Sequence, residues 1–247
     1  MRPVRVLGIC GSPRKGNSLF LLEQAIEGCQ GAGSAEVSAT LFEFRGRSFL
    51  PCDACSHCER HAGACTHDDD FEELRSLWMA ADVVLYSVPV YHMGIPAQVK
   101  AFIDRLGNAM FGLYRSALPP GVSSLPKLLK VVGAIAQGIH AFAGQEHAIS
   151  QLINHALVMQ CVPVTGDLWE SYTGAAGWTA NRGEKSALKL LAESEDLAAR
   201  AAVAASRSLG RRCVEMALVI RAGIAACRES LASDPLWAPL LSAGMGA

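Results

Sequence analysis

Val4-Arg5-Val6-Leu7-Gly8-Ile9-Cys10-Gly11-Ser12-Pro13-Arg14-Lys15-Gly16-Asn17-Ser18 is the stretch on which the fold turns. Val4 to Ile9 is short, mostly apolar and β-branched, the pattern of a buried strand, and it stops at Gly11-Ser12. From Ser18 the residues Leu19, Leu22, Ala25 and Ile26 recur at helical spacing until the glycines of 28–33. Strand, glycine-bearing turn and helix make the first unit of a parallel α/β sheet. In that turn, backbone N–H groups and the helix dipole attract an anion, and Ser12, Arg14, Asn17 and Ser18 add the donors a terminal phosphate wants. Asn17 stands where a nucleoside triphosphate loop needs lysine, and Gly8, Gly11 and Gly16 are wrongly spaced for a dinucleotide fingerprint. Two readings remain: a monophosphate site such as that of FMN, or a polar turn that merely caps the helix.

The chain outward from this unit repeats the theme. Val37, Ala39 and Leu41 alternate as a second strand. Asp68-Asp69-Asp70 precede Phe71 to Ala80, where Leu74, Leu77 and Trp78 form a helical face; consecutive aspartates suit the N-cap and first turn better than a cation, whose ligands must converge. Asp82 to Ser87 reads as a third strand, running into Pro89-Val90-Tyr91-His92-Met93-Gly94-Ile95-Pro96 and a helix marked by Val99, Phe102, Ile103 and Leu106. Residues 111–126, with Gly112, Pro119, Pro120 and Gly121, read as an insertion or lid. Leu128 to Ala136 supplies a fourth strand, Gln137 to Gly144 a loop, Ile149 to Leu157 a helix, and Cys161 to Thr165 a fifth strand. Trp169, Tyr172 and Trp178 fall in an irregular stretch, suited to packing in a core or interface or to covering a planar substrate. Glu184 to about Ala226 is a long Ala-rich helical region that ends in a loose tail. These βα units fit an α/β, doubly wound, five-stranded parallel sheet of order 2-1-3-4-5. The loops after strands 1, 3 and 4 then converge at one switch point, where such sheets bind ligands.

A cysteine-rich loop follows strand 2. Cys52, Cys55, Cys58 and Cys65 form C-x2-C-x2-C-x6-C, four of the nine cysteines within fourteen positions. Three thiols sit on one tight loop, and Gly63 lets the chain double back with a fourth, a pattern suited to an iron–sulfur cluster. Structural zinc prefers C-x2-C pairs separated by a longer finger, and cysteines this close bridge poorly as disulfides; zinc and redox-active or idle thiols stay open beside the cluster. Cys10, Cys29, Cys161, Cys213 and Cys227 are dispersed and read as small buried residues.

Lys and Arg total 22 against 23 Asp and Glu, so no net positive field holds nucleic acid or an anionic membrane. No signal-peptide pattern follows Met1-Arg2-Pro3 and no run of about 18 apolar residues occurs, so a soluble, cytoplasmic protein is expected.

Gly11-Ser12-Pro13-Arg14 with Asn17-Ser18, the cysteine loop with Asp68-Asp69-Asp70, and Pro89 to Pro96 followed by Lys100 and Asp104-Arg105 together resemble the NADPH-dependent FMN reductase family. Within it they are most similar to the iron–sulfur flavoprotein branch. The resemblance covers residues 4–170, and the Ala-rich helix with Leu209-Gly210-Arg211-Arg212 is similar to the family's C-terminal helix. It implies a flavodoxin-like FMN-binding domain over 1–228, including the loop 52–65, a tail over 229–247, and a homodimer or homotetramer. By the same resemblance Ser12, Arg14, Asn17 and Ser18 hold the FMN phosphate. Pro89, Val90, Tyr91, His92, Met93, Gly94 and Ile95 contact the ribityl chain and ring. Gln137 and Gly138 form a third flavin loop, poorer in glycine than the family's. Cys52, Cys55, Cys58 and Cys65 carry a [4Fe–4S] cluster.

The expected protein is an FMN-dependent oxidoreductase between a reduced donor, NAD(P)H or ferredoxin, and a small-molecule or protein acceptor, its cluster relaying electrons to or from FMN. The flavin carries the chemistry, so no acid–base side chain is required; Tyr91 or His92 is placed to deliver a proton. One rival is a cluster-free NAD(P)H-dependent quinone, nitro-compound or flavin reductase. Another is a flavodoxin-like electron carrier, whose acidic docking surface the near-neutral balance does not supply.

Overall fold

The computed structural model describes residues 2–33, 36–115, 118–120 and 125–242. Among these, strands β1 (Val4–Cys10), β2 (Val37–Glu43), β3 (Val83–Pro89), β4 (Val131–Gly138) and β5 (Val162–Pro163) pair in parallel in the expected order β2-β1-β3-β4-β5. Successive side chains of a strand point to opposite faces, so one face buries Leu7, Ile9, Val84, Tyr86, Val132 and Ala134, and the other Val6, Cys10, Val83, Leu85, Val131 and Ile135. The first face is covered by α3 (Phe71–Ala80), α4 (Ala97–Tyr114) and α5 (Gln145–Val158). The second is covered by α1 (Asn17–Gln30), α6 (Ala187–Glu193) and α7 (Leu197–Ala226). The short helix α2 (His57–Arg60) lies within the cysteine loop.

The fifth strand differs from the reading of Cys161 to Thr165. Only Val162–Pro163 pairs with Val131–Val132; the chain then leaves the sheet and returns as β6 (Ala175–Trp178), parallel to Ile135–Gly138. One edge position is thus filled by two pieces. Pro163 donates no ladder hydrogen bond, and Ala175-Ala176-Gly177 has little intrinsic β preference, so pairing to β4 creates β6. Trp178 therefore belongs to a strand, while Trp169 and Tyr172 sit in the excursion, 79% and 72% exposed.

Other boundaries shift for local reasons. β4 begins at Val131 rather than Leu128 because Leu129 has φ 49°, and it extends through Gln137 and Gly138. The long C-terminal helical region breaks at Glu195, φ 64°, after which Asp196 caps α7 by accepting from the Ala199 amide at 2.9 Å. Beyond α7, α8 (Arg228–Leu231) and α9 (Ala238–Ser242) fold back, burying Leu240 and Leu241 against Ile224. Of the insertion or lid at 111–126, Phe111 to Tyr114 belong to α4, and 116–117 and 121–124 lie outside the described residues. Among the described residues no helix is long and apolar enough to cross a membrane.

Asp82 ties the last long helix to the foot of the sheet. Its carboxylate, 2% exposed, accepts from Arg2 at 2.7 and 2.9 Å, from the Arg5 amide at 2.9 Å, and from Arg221 of α7 at 2.6 Å. Burial pushes its pKa up, but the Arg2 hydrogen bonds, the Arg5 amide and the Arg221 charge more than offset this and hold it at about 2. A depressed carboxyl contributes stability that is present above its unfolded pKa of about 4 and is lost as pH falls toward 2, roughly 2 kcal/mol in all. We expect the urea midpoint to drop across that window. Asp82→Asn should be less stable at pH 7 and lack this part of the acid dependence.

Candidate flavin and cysteine sites

The turn after β1, the turn after β3 and the end of β4 meet above the sheet. Ser12, Arg14, Asn17, Ser18, Pro89, Val90, Tyr91 and Gln137, together with Ile139, line one cavity of about 60 Å³, the scale of a phosphate group rather than of a whole flavin. Helix α1 enters it with no capping side chain at Gly16 and no acid in its first turn, which leaves its N-terminus open to an anion. A Cβ on Gly11 would lie 2.5 Å from Val99 and 2.9 Å from Val88, so only glycine lets this turn pass so close to β3 and α4. Ser12 Oγ donates to the Arg14 carbonyl at 2.7 Å and accepts from the Arg14 amide at 3.2 Å, which sets the shape of the loop. These donors and the open helix end fit the phosphate of FMN.

Asn17 has a further task that its position does not advertise. Its Nδ2 donates to the Glu184 carbonyl at 3.1 Å and its Oδ1 accepts from the Leu188 amide at 3.0 Å, while Arg14 Nη2 donates to the Gly183 carbonyl at 3.5 Å. Residues 183–188 are thereby strapped beside the phosphate turn. No local pattern marks them, since the partners are some 170 positions apart.

In the second loop, Tyr91 and Gly94 exchange backbone hydrogen bonds of 2.9 and 3.0 Å around His92 (φ 50°) and Met93 (φ 71°), a tight turn of the kind glycine and asparagine usually fill. It is braced by the Val90 amide on the Gln137 carbonyl, 2.8 Å, and by the Ile95 amide on Gln151 Oε1, 3.0 Å. Gly144, φ 102°, lies against Met93, where a Cβ would come within 2.7 Å of its Cα. Strained turns of this kind recur at ligand clamps. His92, Met93, Gly94, Ile95 and Gly138 stand outside the phosphate-scale cavity. Met93 lines a second cavity of about 430 Å³ with Phe142, Gly144, Gln145 and Trp178, and Phe142 is 96% exposed. The Gly138 carbonyl accepts from Gln137 Nε2 at 2.7 Å.

The cysteine loop folds by four left-handed residues, Ala54, Ser56, Ala62 and Gly63. They turn the chain so that Cys52, Cys55, Cys58 and Cys65 all line one cavity of about 210 Å³, with Arg105, Asn108 and Ala109 of α4 lining it from the helix side. The loop lies hard on that helix. A Cβ on Gly63 would come within 2.6 Å of the Ala109 carbonyl, and one on Gly112 would overlap the Cys58 carbonyl. Arg105 Nη2 donates to Cys65 Sγ at 3.2 Å and Asn108 Nδ2 to Cys52 Sγ at 3.5 Å. Among the described residues no three His, Cys, Asp or Glu side chains close on one point as a single ion requires. Four thiols around a roomy cavity with N–H donors to sulfur suit a multi-atom cluster.

Asp69 and Asp70 tie this loop down as well as standing at the start of α3, where Asp69 accepts from the Phe71 amide at 3.2 Å. Asp70 occupies the N-cap position without a capping hydrogen bond, and its carboxylate accepts from the Ser48 amide and Arg47, both at 2.7 Å. Asp69 accepts from Arg105 at 2.6 and 3.0 Å and from the Leu50 amide at 2.8 Å, joining loop entry, loop exit and α4. Of the remaining cysteines, burial pushes Cys10 up to about 11 and Cys29 and Cys161 up to about 12, so these thiols stay protonated and inert. Cys213 is buried too, whereas Cys227 is exposed, past the end of the apolar face of α7.

A model of the NADPH-dependent FMN reductase family matches residues 4–172. The chain belongs to this family. It is thus an FMN-dependent oxidoreductase by descent, in keeping with a phosphate-scale cavity at the switch point. An iron-sulfur flavoprotein of Archaeoglobus fulgidus is 31% identical over 177 residues, 70% of this chain and 82% of that protein. One from Methanosarcina thermophila is 32% identical over 179 residues, 71% and 83% of the two chains. Among solved structures, the NAD(P)H:quinone oxidoreductase from Methanothermobacter marburgensis is similar with a TM-score of 0.60 and 15% identity, covering 85% of this chain and 98% of that one, a likeness of fold.

Proposed function

We propose that this family member is a two-centre redox enzyme, with FMN held by the 12–18, 89–95 and 137–138 segments and a [4Fe–4S] cluster held by Cys52, Cys55, Cys58 and Cys65. Its donor is NAD(P)H or a reduced protein carrier, and its acceptor a small molecule or protein. When bound, FMN supplies two-electron chemistry and the cluster single-electron exchange. The observation that carries this reading is the cavity that all four cysteines line on α4. That same helix starts directly after the Pro89–Ile95 loop, and Ala97 to Arg105–Asn108 spans about 12–17 Å of helix. One rigid element therefore spaces the two loops.

The protein's residues supply binding, orientation and exclusion of water. Arg14, free of any carboxylate ion pair among the described residues, and the N-terminus of α1 neutralise the phosphate. Arg14→Ala should weaken FMN binding by about tenfold or more, taking 1.5–3 kcal/mol for a charged hydrogen bond, as read by flavin release on dilution. The braced turn at Tyr91–Gly94 presents backbone groups and two side chains at a fixed height, and Tyr91 or His92, both exposed, can pass a proton to a bound substrate. Gly112→Ala should force the Cys58 carbonyl off α4. The expected preparation keeps FMN and loses iron, despite the roughly 1 kcal/mol that alanine offers a helix over glycine.

The deciding experiment is anaerobic purification with FMN, iron, acid-labile sulfide and zinc assayed on one sample, and visible spectra before and after dithionite. About four iron and four sulfide per FMN support the proposal. FMN without iron or sulfide overturns it in favour of a cluster-free reductase acting on quinones, nitro compounds or free flavin.

A further inference from the structure

We infer that Arg105 and Asn108 are positioning residues that set the reduction potential of the centre held by the cysteine loop, through N–H···S hydrogen bonds to Cys65 and Cys52. This rests on the [4Fe–4S] reading above. The two residues are three apart on α4 and so share a face, and both line the cysteine cavity. Arg105 Nη2 stands 3.2 Å from Cys65 Sγ and Asn108 Nδ2 3.5 Å from Cys52 Sγ, within hydrogen-bonding range of sulfur.

The arginine is held with little freedom. Its side chain is 2% exposed, and Nη1 is engaged by Asp69 at 2.6 Å and by the Leu50 carbonyl at 3.2 Å. Nη2 divides between Asp69 at 3.0 Å and Cys65. Arg105 lines the cavity and Asp69 does not, so the positive group faces the sulfurs and its counter-charge stands behind it. Cys55 meets the Thr66 hydroxyl at 3.9 Å, and Cys58 takes its hydrogen bonds from backbone amides rather than from a side chain among the described residues. Asp53 and Glu59, also on the cavity wall, add negative charge, and Arg105 and Asn108 are the side-chain N–H donors to sulfur that offset it among the described residues. Donors to thiolate sulfur favour the more negative, reduced centre and raise its potential.

The experiment compares wild type, Asn108→Ala and Asn108→Asp, purified anaerobically, by iron and sulfide per FMN and by a redox titration followed by electron paramagnetic resonance. Asn108 is exposed, so neither variant disturbs the core. At wild-type iron and sulfide, the midpoint is expected to move negative in Asn108→Ala and further in Asn108→Asp, where an acceptor of the same shape replaces the donor. Arg105→Lys, which keeps the charge opposite Asp69 but not the fork, should also move it negative. Wild-type midpoints in fully loaded variants overturn the inference and leave the cluster standing. A wild type without iron or sulfide removes the cluster reading itself, before any variant is compared.

Discussion

Asp69→Ala is expected to destabilise the protein by about 3–5 kcal/mol and to free the cysteine loop from α4, because it strands a buried guanidinium. The Asp69 and Arg105 side chains are 1% and 2% exposed, and Arg105 also lies over the Phe71 ring at 4.3 Å. Among the described residues Asp69 is the one carboxylate in ion-pair contact with Arg105. The same substitution removes the acceptor for the Leu50 amide, 2.8 Å, and for the Phe71 amide, 3.2 Å, so both ends of the 50–70 segment lose their tie. Urea unfolding and limited proteolysis read the two effects together, with new cleavage inside residues 51–67 as the mark of a released loop. Asp70→Ala is the matched control. Its partner Arg47 is 35% exposed and also holds Glu73, so the loss should stay near the 1 kcal/mol of a surface pair, plus the Ser48 contact. If Asp69→Ala costs no more than Asp70→Ala, the clamp does not organise the loop.

Gly210→Val should lower stability by roughly 3 kcal/mol or more, since a Cβ at 210 would overlap the Ala25 carbonyl of α1. The contact is reciprocal: a Cβ on Gly28 of α1 would overlap the Arg207 carbonyl of α7. Cys29 Sγ adds a 3.2 Å hydrogen bond to the Gly210 carbonyl. The atoms in the way are backbone, so a whole helix must move rather than a flexible side chain. Because α1 begins at the phosphate turn, displacing it should also weaken FMN retention. Gly223→Ala in the same helix meets nothing within 4 Å and should instead stabilise by about 1 kcal/mol, the ordinary gain of alanine over glycine in a helix. Opposite signs in thermal melts are the expected result; equal effects would mean that the two helices are not in close register.

The local pattern of residues was enough for much of the architecture. Val4 to Ile9 and Val83 to Val88 are apolar runs flanked by turn residues, and a strand buried on both faces needs no more than that. The turn after β1 was legible as a candidate anion site because glycine, hydroxyl and amide side chains cluster within seven positions of one helix start, and the structure brings Ser12, Arg14, Asn17 and Ser18 to one cavity. The cysteines were legible as a set through spacing alone, and the fold gathers all four.

What the sequence could not show shares one cause: the two partners lie far apart in the chain. β6 exists because Ala175 to Trp178 finds the free edge of β4, not because its residues prefer a strand. Asn17 reads as a phosphate donor, and its side chain also binds Glu184 and Leu188, which leaves one Nδ2 hydrogen for a ligand. The aspartates before α3 read as caps, and burial beside Arg105 turns Asp69 into a loop clamp. Periodicity, turn chemistry and cysteine spacing are carried by neighbours in sequence, so the sequence alone set the strand order, the glycine turn between β1 and α1, and the four-thiol loop. Which backbone may touch which, at Gly28 and Gly210 or at Gly112 and Cys58, and which buried charges meet, were decided only when the packed layers set those surfaces against each other.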